Sequence, residues 1–256
     1  IAIGHQSLTA LTSGAENTAI GYQAADALNT GASNVVIGHS ALGADQKGAR
    51  NVAIGNSALG LQVLTSNTET KNVGIGMFAG YNNVTGVNNV YVGYAAGNGA
   101  IGESNSSNTA VGKDALLAIT TGGNNVAIGV GAGDALLAGD SNTFLGTGTA
   151  SASTAILKSV VIGVDAIETG VATASAVGTV AIGYSALKVL TSGIGNVAIG
   201  SEALTTCSDG DYNTALGTNT LKAMNGAGST KNTALGFNAL ASCTAGFNNI
   251  AIGVDA

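Results

Sequence analysis

Few residues in this 256-residue chain carry side chains that could do chemistry, and their spacing decides what each could do. Histidine occurs twice, at His5 and His39, each one residue after a recurring glycine. A metal centre needs three or four converging ligands, and no Cys, Asp or Glu accompanies this pair at ligand spacing. The same slot elsewhere holds Tyr22, Asn56, Met77, Lys113 and Phe237, so it reads as a variable surface position. Asp209-Gly210-Asp211-Tyr212-Asn213 opens like a calcium loop, with alternating oxygen ligands, but no bidentate Glu closes it. It reads as a solvated turn. Gly129-Val130-Gly131-Ala132-Gly133 has the glycine density of a phosphate cradle but neither a Gly-Lys-Ser/Thr ending nor dinucleotide-fold spacing. Ser, His and Asp do not group into a triad. Asn83-Val84-Thr85 and Asn105-Ser106-Ser107 match glycosylation sequons, which a chain so rich in Asn, Ser and Thr produces by chance. The expectation is therefore a chain with no catalytic residue, no cofactor-binding residue and no metal ligand, and not an enzyme.

Cys207 and Cys243 each lie seven residues after a recurring glycine, a position held by Leu11, Leu28, Leu136 and Leu190 in other copies. They read as small buried hydrophobes rather than a disulfide, because two coils of a stack separate them by about 9 to 10 Å. Composition narrows the partners. The net charge is -6 with eight basic residues, and no Lys/Arg stripe is present to meet a phosphate backbone, which argues against nucleic acid. No apolar run is long enough to span a membrane, so no membrane insertion is expected. Charged residues are 9% and hydrophobic residues 45%, with 40 glycines and no proline, which excludes a disordered chain and suits a narrow core of small side chains.

The elements that hold these residues come from one repeat. The glycine ending Asn196-Val197-Ala198-Ile199-Gly200 has counterparts at Gly4, Gly21, Gly38, Gly55, Gly76, Gly93, Gly112, Gly129, Gly146, Gly163, Gly183, Gly217, Gly236 and Gly253. Ten of the fourteen intervals are 17 residues. A fixed period of this size predicts a parallel β-solenoid or β-roll, mainly β, with residues 1–256 as a single repeat domain of about fifteen coils. The repeat starts and stops in mid-motif, so a segment of a longer fibre protein is expected.

Within a coil, the branched aliphatics one and three residues before the glycine alternate with a middle residue that is Ala in ten of fifteen copies. The alternation predicts a short strand with its aliphatic face buried. The uniformly small middle residue then faces outward, against another chain. On that reading Ala127→Glu, Ala198→Glu and Ala215→Glu break an oligomer and leave a less stable monomer. Asn precedes the strand in twelve of fourteen copies, which permits an amide ladder between coils. The motif glycine reads as a corner needing positive φ or close backbone approach. In the second half, Ala and Leu three, four and seven residues after the glycine suggest a helical turn, with Ser40, Ser57, Asp114, Asp165, Ser185 and Asn238 as N-caps and glycines such as Gly14, Gly31, Gly122 and Gly193 as caps or corners. A second strand there remains an alternative. Insertions fall at 61–71, 97–108, 172–179 and 225–231, and their loops are the first candidates for partner contacts.

Motifs such as Asn17-Thr18-Ala19-Ile20-Gly21-Tyr22-Gln23-Ala24 and Val180-Ala181-Ile182-Gly183-Tyr184-Ser185-Ala186-Leu187 resemble the repeats of phage tail-fibre proteins. They are also similar to the head repeats of trimeric autotransporter adhesins, whose period is shorter. The resemblance covers the full chain. It implies a homotrimeric fibre, a rigid spacer of about 70 Å at strand spacing, located in a virion tail fibre or at a cell surface. It also implies a host glycan or protein as the partner of the inserted loops. The alternatives are a subunit of a self-assembling extracellular filament and a carbohydrate-binding solenoid.

Overall fold

The computed structural model describes residues 1–256 except Thr65, Gly226 and Ala227, so parts of the first and fourth insertions lie outside the described residues. The chain is all-β, a parallel solenoid of fifteen coils, and it divides into two compact units, Ile1–Asn124 and Asn125–Ala256. In the first unit the motif strands are Ala2–Ile3, Thr18–Ile20, Val35–Ile37, Val52–Ile54, Val73–Ile75, Val90–Val92 and Thr109–Val111. In the second they are Val126–Ile128, Thr143–Leu145, Val160–Ile162, Val180–Ile182, Val197–Ile199, Thr214–Leu216, Thr233–Leu235 and Ile250–Ile252. Within each unit successive strands pair parallel and in register, as in Val35↔Val52 and Ile37↔Ile54, or Val180↔Val197 and Ile182↔Ile199.

The motif glycine is demanded twice over. Its φ lies between +127° and +141° throughout, a region that L side chains avoid. A Cβ on Gly21 would also stand 2.5 Å from the carbonyl oxygen of Gly38 in the next coil. The glycines ten residues further on serve by close approach alone in most coils: a Cβ on Gly31 would meet the Gly48 oxygen at 2.2 Å.

The second half of the coil contains no helix among the described residues. It is a tight turn in which every second residue is left-handed, with positive φ. In one coil these are Ser40 and Leu42, at φ 52° and 49°, and in another Asp114 and Leu116, at 57° and 51°. Ser, Asp and Asn tolerate the left-handed region, and they are also the preferred N-caps. That shared preference explains why the same residues suggested a helix. The N–H groups of the left-handed residues reach neighbouring coils, as Ser40 N–H to Tyr22 O and Leu42 N–H to Ala58 O, both 2.9 Å, while those between them close single tight turns, as Gly60 N–H to Ser57 O at 3.1 Å and Leu28 N–H to Ala25 O at 3.2 Å, instead of a continuous helical ladder. Among the described residues a second strand forms at two places, both beside insertions: Gly48–Ala49 pairs with Thr68–Glu69, and Ala176–Val177 with Gly193–Ile194.

The core reverses the expected sidedness of the strand. Ala19, Ala53, Ala110, Ala127, Ala198 and Ala215, all middle residues, are fully buried, whereas the flanking Val35, Ile37, Val126 and Ile128 are exposed. The small residue is dictated from inside. Most coils also send the side chains three, four and seven residues after the glycine inward, so a middle residue shares its space with a Leu such as Leu42 or Leu59. Where that residue is large, the Leu is missing. Tyr91 is accommodated by Gly80 and Gly97, where a Cβ would stand 2.7 and 2.2 Å from its ring. Conversely Gly74 packs against Leu59, whose Cγ would be 2.9 Å from an added Cβ.

The asparagine row forms the expected amide ladder on the inside of the coil. Asn17 Oδ1 accepts both the backbone N–H and the side-chain Nδ2–H of Asn34, each at 3.0 Å, and Asn34 Nδ2 also donates to Gly48 O at 3.0 Å. The pattern recurs with Asn196 and Asn213, and with Asn213 and Asn232. At the irregular coils Ser159 and Thr179 keep only part of it: Thr179 N–H donates to Ser159 Oγ at 3.2 Å.

Two outcomes are expected from denaturant unfolding. Asn34→Ala removes the acceptor of the Asn51 N–H and the donor to Gly48 O inside the core, and should cost roughly 1–3 kcal/mol. Gly97→Leu should destabilise by about 1–3 kcal/mol through overpacking against Tyr91, and Tyr91→Ala added to it should recover part of that loss although Tyr91→Ala alone destabilises.

Candidate interaction face

Because the middle residue of every strand points inward, the two flanking positions point out. In the first unit one row runs Val35, Val52, Val73, Val90, Thr109, and its neighbour Ile37, Ile54, Ile75, Val92, Val111. In the second unit they run Val126, Thr143, Val160, Val180, Val197, Thr214, Thr233, Ile250 and Ile128, Leu145, Ile162, Ile182, Ile199, Leu216, Leu235, Ile252. None of these side chains is charged. Val35 is 38% exposed, Ile37 37% and Leu145 44%. Side chains in each row repeat every ~4.8 Å, so the eight strands of the second unit present an uncharged strip of roughly 40 Å, aliphatic except at Thr143, Thr214 and Thr233.

The position after the motif glycine borders this strip. There the structure places the two histidines on either face of Tyr22, with ring centroids 5.2 and 5.1 Å away and interplanar angles of 11° and 15°. With a tyrosine ring between them the imidazoles do not converge on a common point. Phe78 meets Tyr94 edge-on at 6.4 Å, and Lys113 lies 6.0 Å from the Tyr94 centroid. The border is thus aromatic along part of the first unit.

The other singled-out residues take structural places. Asp211 Oδ1 accepts the Ile194 N–H at 2.8 Å, an end-of-strand bond rather than a cation loop. Gly131 and Gly133, at φ 64° and 60°, occupy the two left-handed turn positions of their coil. Both sequon asparagines are buried: Asn83 Oδ1 accepts the Gly86 N–H at 3.1 Å, and Asn105 Oδ1 accepts the Tyr91 hydroxyl, so neither amide is open to a glycan. Cys207 is buried, which pushes its thiol pKa up, and Cys243 is half-buried; both are free thiols. Among the described residues no group of three or more His, Cys, Asp or Glu could hold a metal ion.

Polar contacts tie the insertions to the coils beside them. In the first, Glu69 bridges Arg50 at 2.9 Å and Lys71 at 3.1 Å, and Thr30 donates to Asn67 Oδ1 at 2.7 Å, drawing the loop back along the stack. On either side of the third, Glu168 pairs with Lys188 at 2.9 Å. Exposed pairs of this kind add little stability. Comparison with protein-family models, with curated proteins and with solved structures found no match.

The apolar strip was hidden in the sequence by its own regularity, since alternation identifies two faces without saying which is inside. The His–Tyr–His stack was signalled only by the common offset of its members from the glycine. Sidedness is checked by a paired substitution: Ile128→Glu should leave the circular dichroism spectrum and cooperative melting intact. Ala127→Glu, one residue away, buries a charge among Leu and Ala and should abolish the folded state of that unit.

Proposed function

We propose that the chain is a structural segment of a fibre or adhesin, a stacked spacer that associates with copies of itself and carries regions that recognise a host or other surface. The observation supporting this reading is the uncharged aliphatic strip on the outward face of the strands. Isolated exposed aliphatics are ordinary, but a contiguous patch larger than a few hundred Å² marks an association surface. Covering two half-exposed branched side chains removes on the order of 100 Å² per coil from water, gross stabilisation of about 2–3 kcal/mol per coil. One coil cannot offset an association cost of roughly 4–15 kcal/mol, whereas seven or eight coils in a unit can. Repetition turns a weak contact into a specific one.

The homotrimer, the location on a virion or outside a cell, and recognition through inserted loops follow from the likeness of the repeat to tail-fibre and adhesin repeats. The polar first insertion, with Arg50, Glu69 and Lys71 at its base, suits contact with a glycan or a protein.

Light scattering on a sizing column, with negative-stain images of the same fraction, tests the reading. A mass of three chains with particles of uniform length is expected. A triple variant, Ile37→Lys, Ile54→Lys and Ile75→Lys, should lower the mass while leaving the circular dichroism unchanged. A compact single chain in the unaltered protein overturns self-association, and a broad distribution of long threads replaces the spacer with an end-to-end filament.

A further inference from the structure

The position seven residues after the glycine is apolar in most coils, but three consecutive coils of the first unit carry Asp45, Gln62 and Asn83 there, all buried. Asp45 is fully enclosed and receives donors on both oxygens. Its Oδ1 accepts the N–H of Gly48 at 3.0 Å and of Lys47 at 3.2 Å, and its Oδ2 accepts Gln62 Nε2–H at 2.6 Å. Gln62 turns its Oε1 to Asn72, whose Nδ2 donates to it at 2.8 Å. Asn72 is itself a rung of the amide ladder: its Oδ1 accepts the Asn89 N–H at 2.9 Å, and its Nδ2 also donates to Gly86 O at 2.8 Å.

We propose that Asp45, Gln62 and Asn72 form a proton-operated latch between the first insertion and the amide ladder. Every partner of Asp45 is a donor, an arrangement that suits the ionised carboxylate. A proton added to the carboxyl goes to Oδ2, because Oδ1 is held by two backbone N–H groups. It then faces the Gln62 Nε2 donor, and Gln62 must turn its amide over to offer Oε1. That places Nε2 against Asn72 Nδ2, donor against donor, and breaks the link. Asn72 cannot turn in response, since its oxygen and nitrogen are both engaged by the ladder. Protonation therefore releases the corner from the ladder without breaking the ladder itself.

Lys47 contributes its backbone N–H, Asp26 of the preceding coil lies beside Gly43, and Arg50 and Lys71 hold Glu69 on exposed side chains. Burial raises the Asp45 pKa above its ordinary value, the hydrogen bonds opposing it. With the folded pKa raised, the contribution of this group to stability is fully present below the unfolded pKa and is lost as pH rises through the folded pKa. Acid thus relieves a buried charge while opening the latch, and the two effects have separate readouts.

The experiment is a pH titration of the ¹⁵N-labelled full chain between about pH 3 and about pH 8, following the Gln62 side-chain amide. A single transition of that amide, with its midpoint above the ordinary carboxylate range, is expected. In Asp45→Asn the Gln62 amide should hold the acid position at every pH, because the NH₂ group of the substituted side chain is a permanent donor. The melting temperature of the unaltered protein relative to Asp45→Asn should fall as pH rises. A Gln62 amide that does not respond to pH in the unaltered protein overturns the latch even if Asp45→Asn fails to fold. A transition that persists in folded Asp45→Asn overturns it as well, by assigning the proton to another group.

Discussion

Everything in this molecule depends on the close in-register approach of backbone to backbone between coils at the motif glycine. There the chain leaves the strand at a φ near +135°, and the carbonyl of the next glycine occupies the place where a Cβ would be, 2.4 Å away at Gly4 and Gly38. No other residue fits, so the glycine sets both the direction of the turn and the contact distance of the stack. Once two coils meet there, their strands and turns are aligned as well. Strand N–H groups pair with the next strand, and the left-handed turn residues pair with the turns on either side. Each left-handed Leu carries a steric cost of about 1–2 kcal/mol, offset by burial of its side chain and by those cross-coil bonds.

A core so thin has no room for independent choices. The middle strand residue and the residue four after the glycine compete for the same volume, which is why Tyr91 lies between Gly80 and Gly97 and why Phe144 has Gly133 of the preceding coil and Ala150 of its own at the equivalent positions. Polar groups are subject to the same limit. The Asn ladder gives buried N–H and C=O groups at the coil corner a partner without lengthening the coil. Longer coils depart from this. Around the first two insertions the core admits Asp45, Gln62, Asn83 and Asn105, joined through Thr70, Asn72 and Tyr91 into buried hydrogen-bonded chains. An insertion and a polar core go together because displaced corner backbone brings donors and acceptors that an apolar row would leave unpaired.

The outward face is the complement of that economy. Small residues are consumed by the interior, so the branched aliphatics that favour strands are left on the outside, repeated coil after coil with no charge among them. The aromatic border of His5, Tyr22 and His39 follows the same stacking rule, since one offset in successive coils places flat rings one above another.

The sequence by itself determined the period, the parallel solenoid, the count of coils, the corner glycines and the amide ladder, because each is a property of one position repeated at one interval. It did not determine which side of the strand is inside. A three-residue strand of Val-Ala-Ile alternates equally well either way, and only the positions of Leu42, Leu59 and their equivalents, folded back over the alanines by the turn, reveal that the interior is too narrow for Val and Ile flanks. Nor could it distinguish a helical turn from an alternating left-handed one, since Ser, Asp and Asn favour both and Ala and Leu point inward at similar intervals. Those choices were made by packing between coils, where volume and hydrogen-bond partners are shared with residues 17 or more positions away.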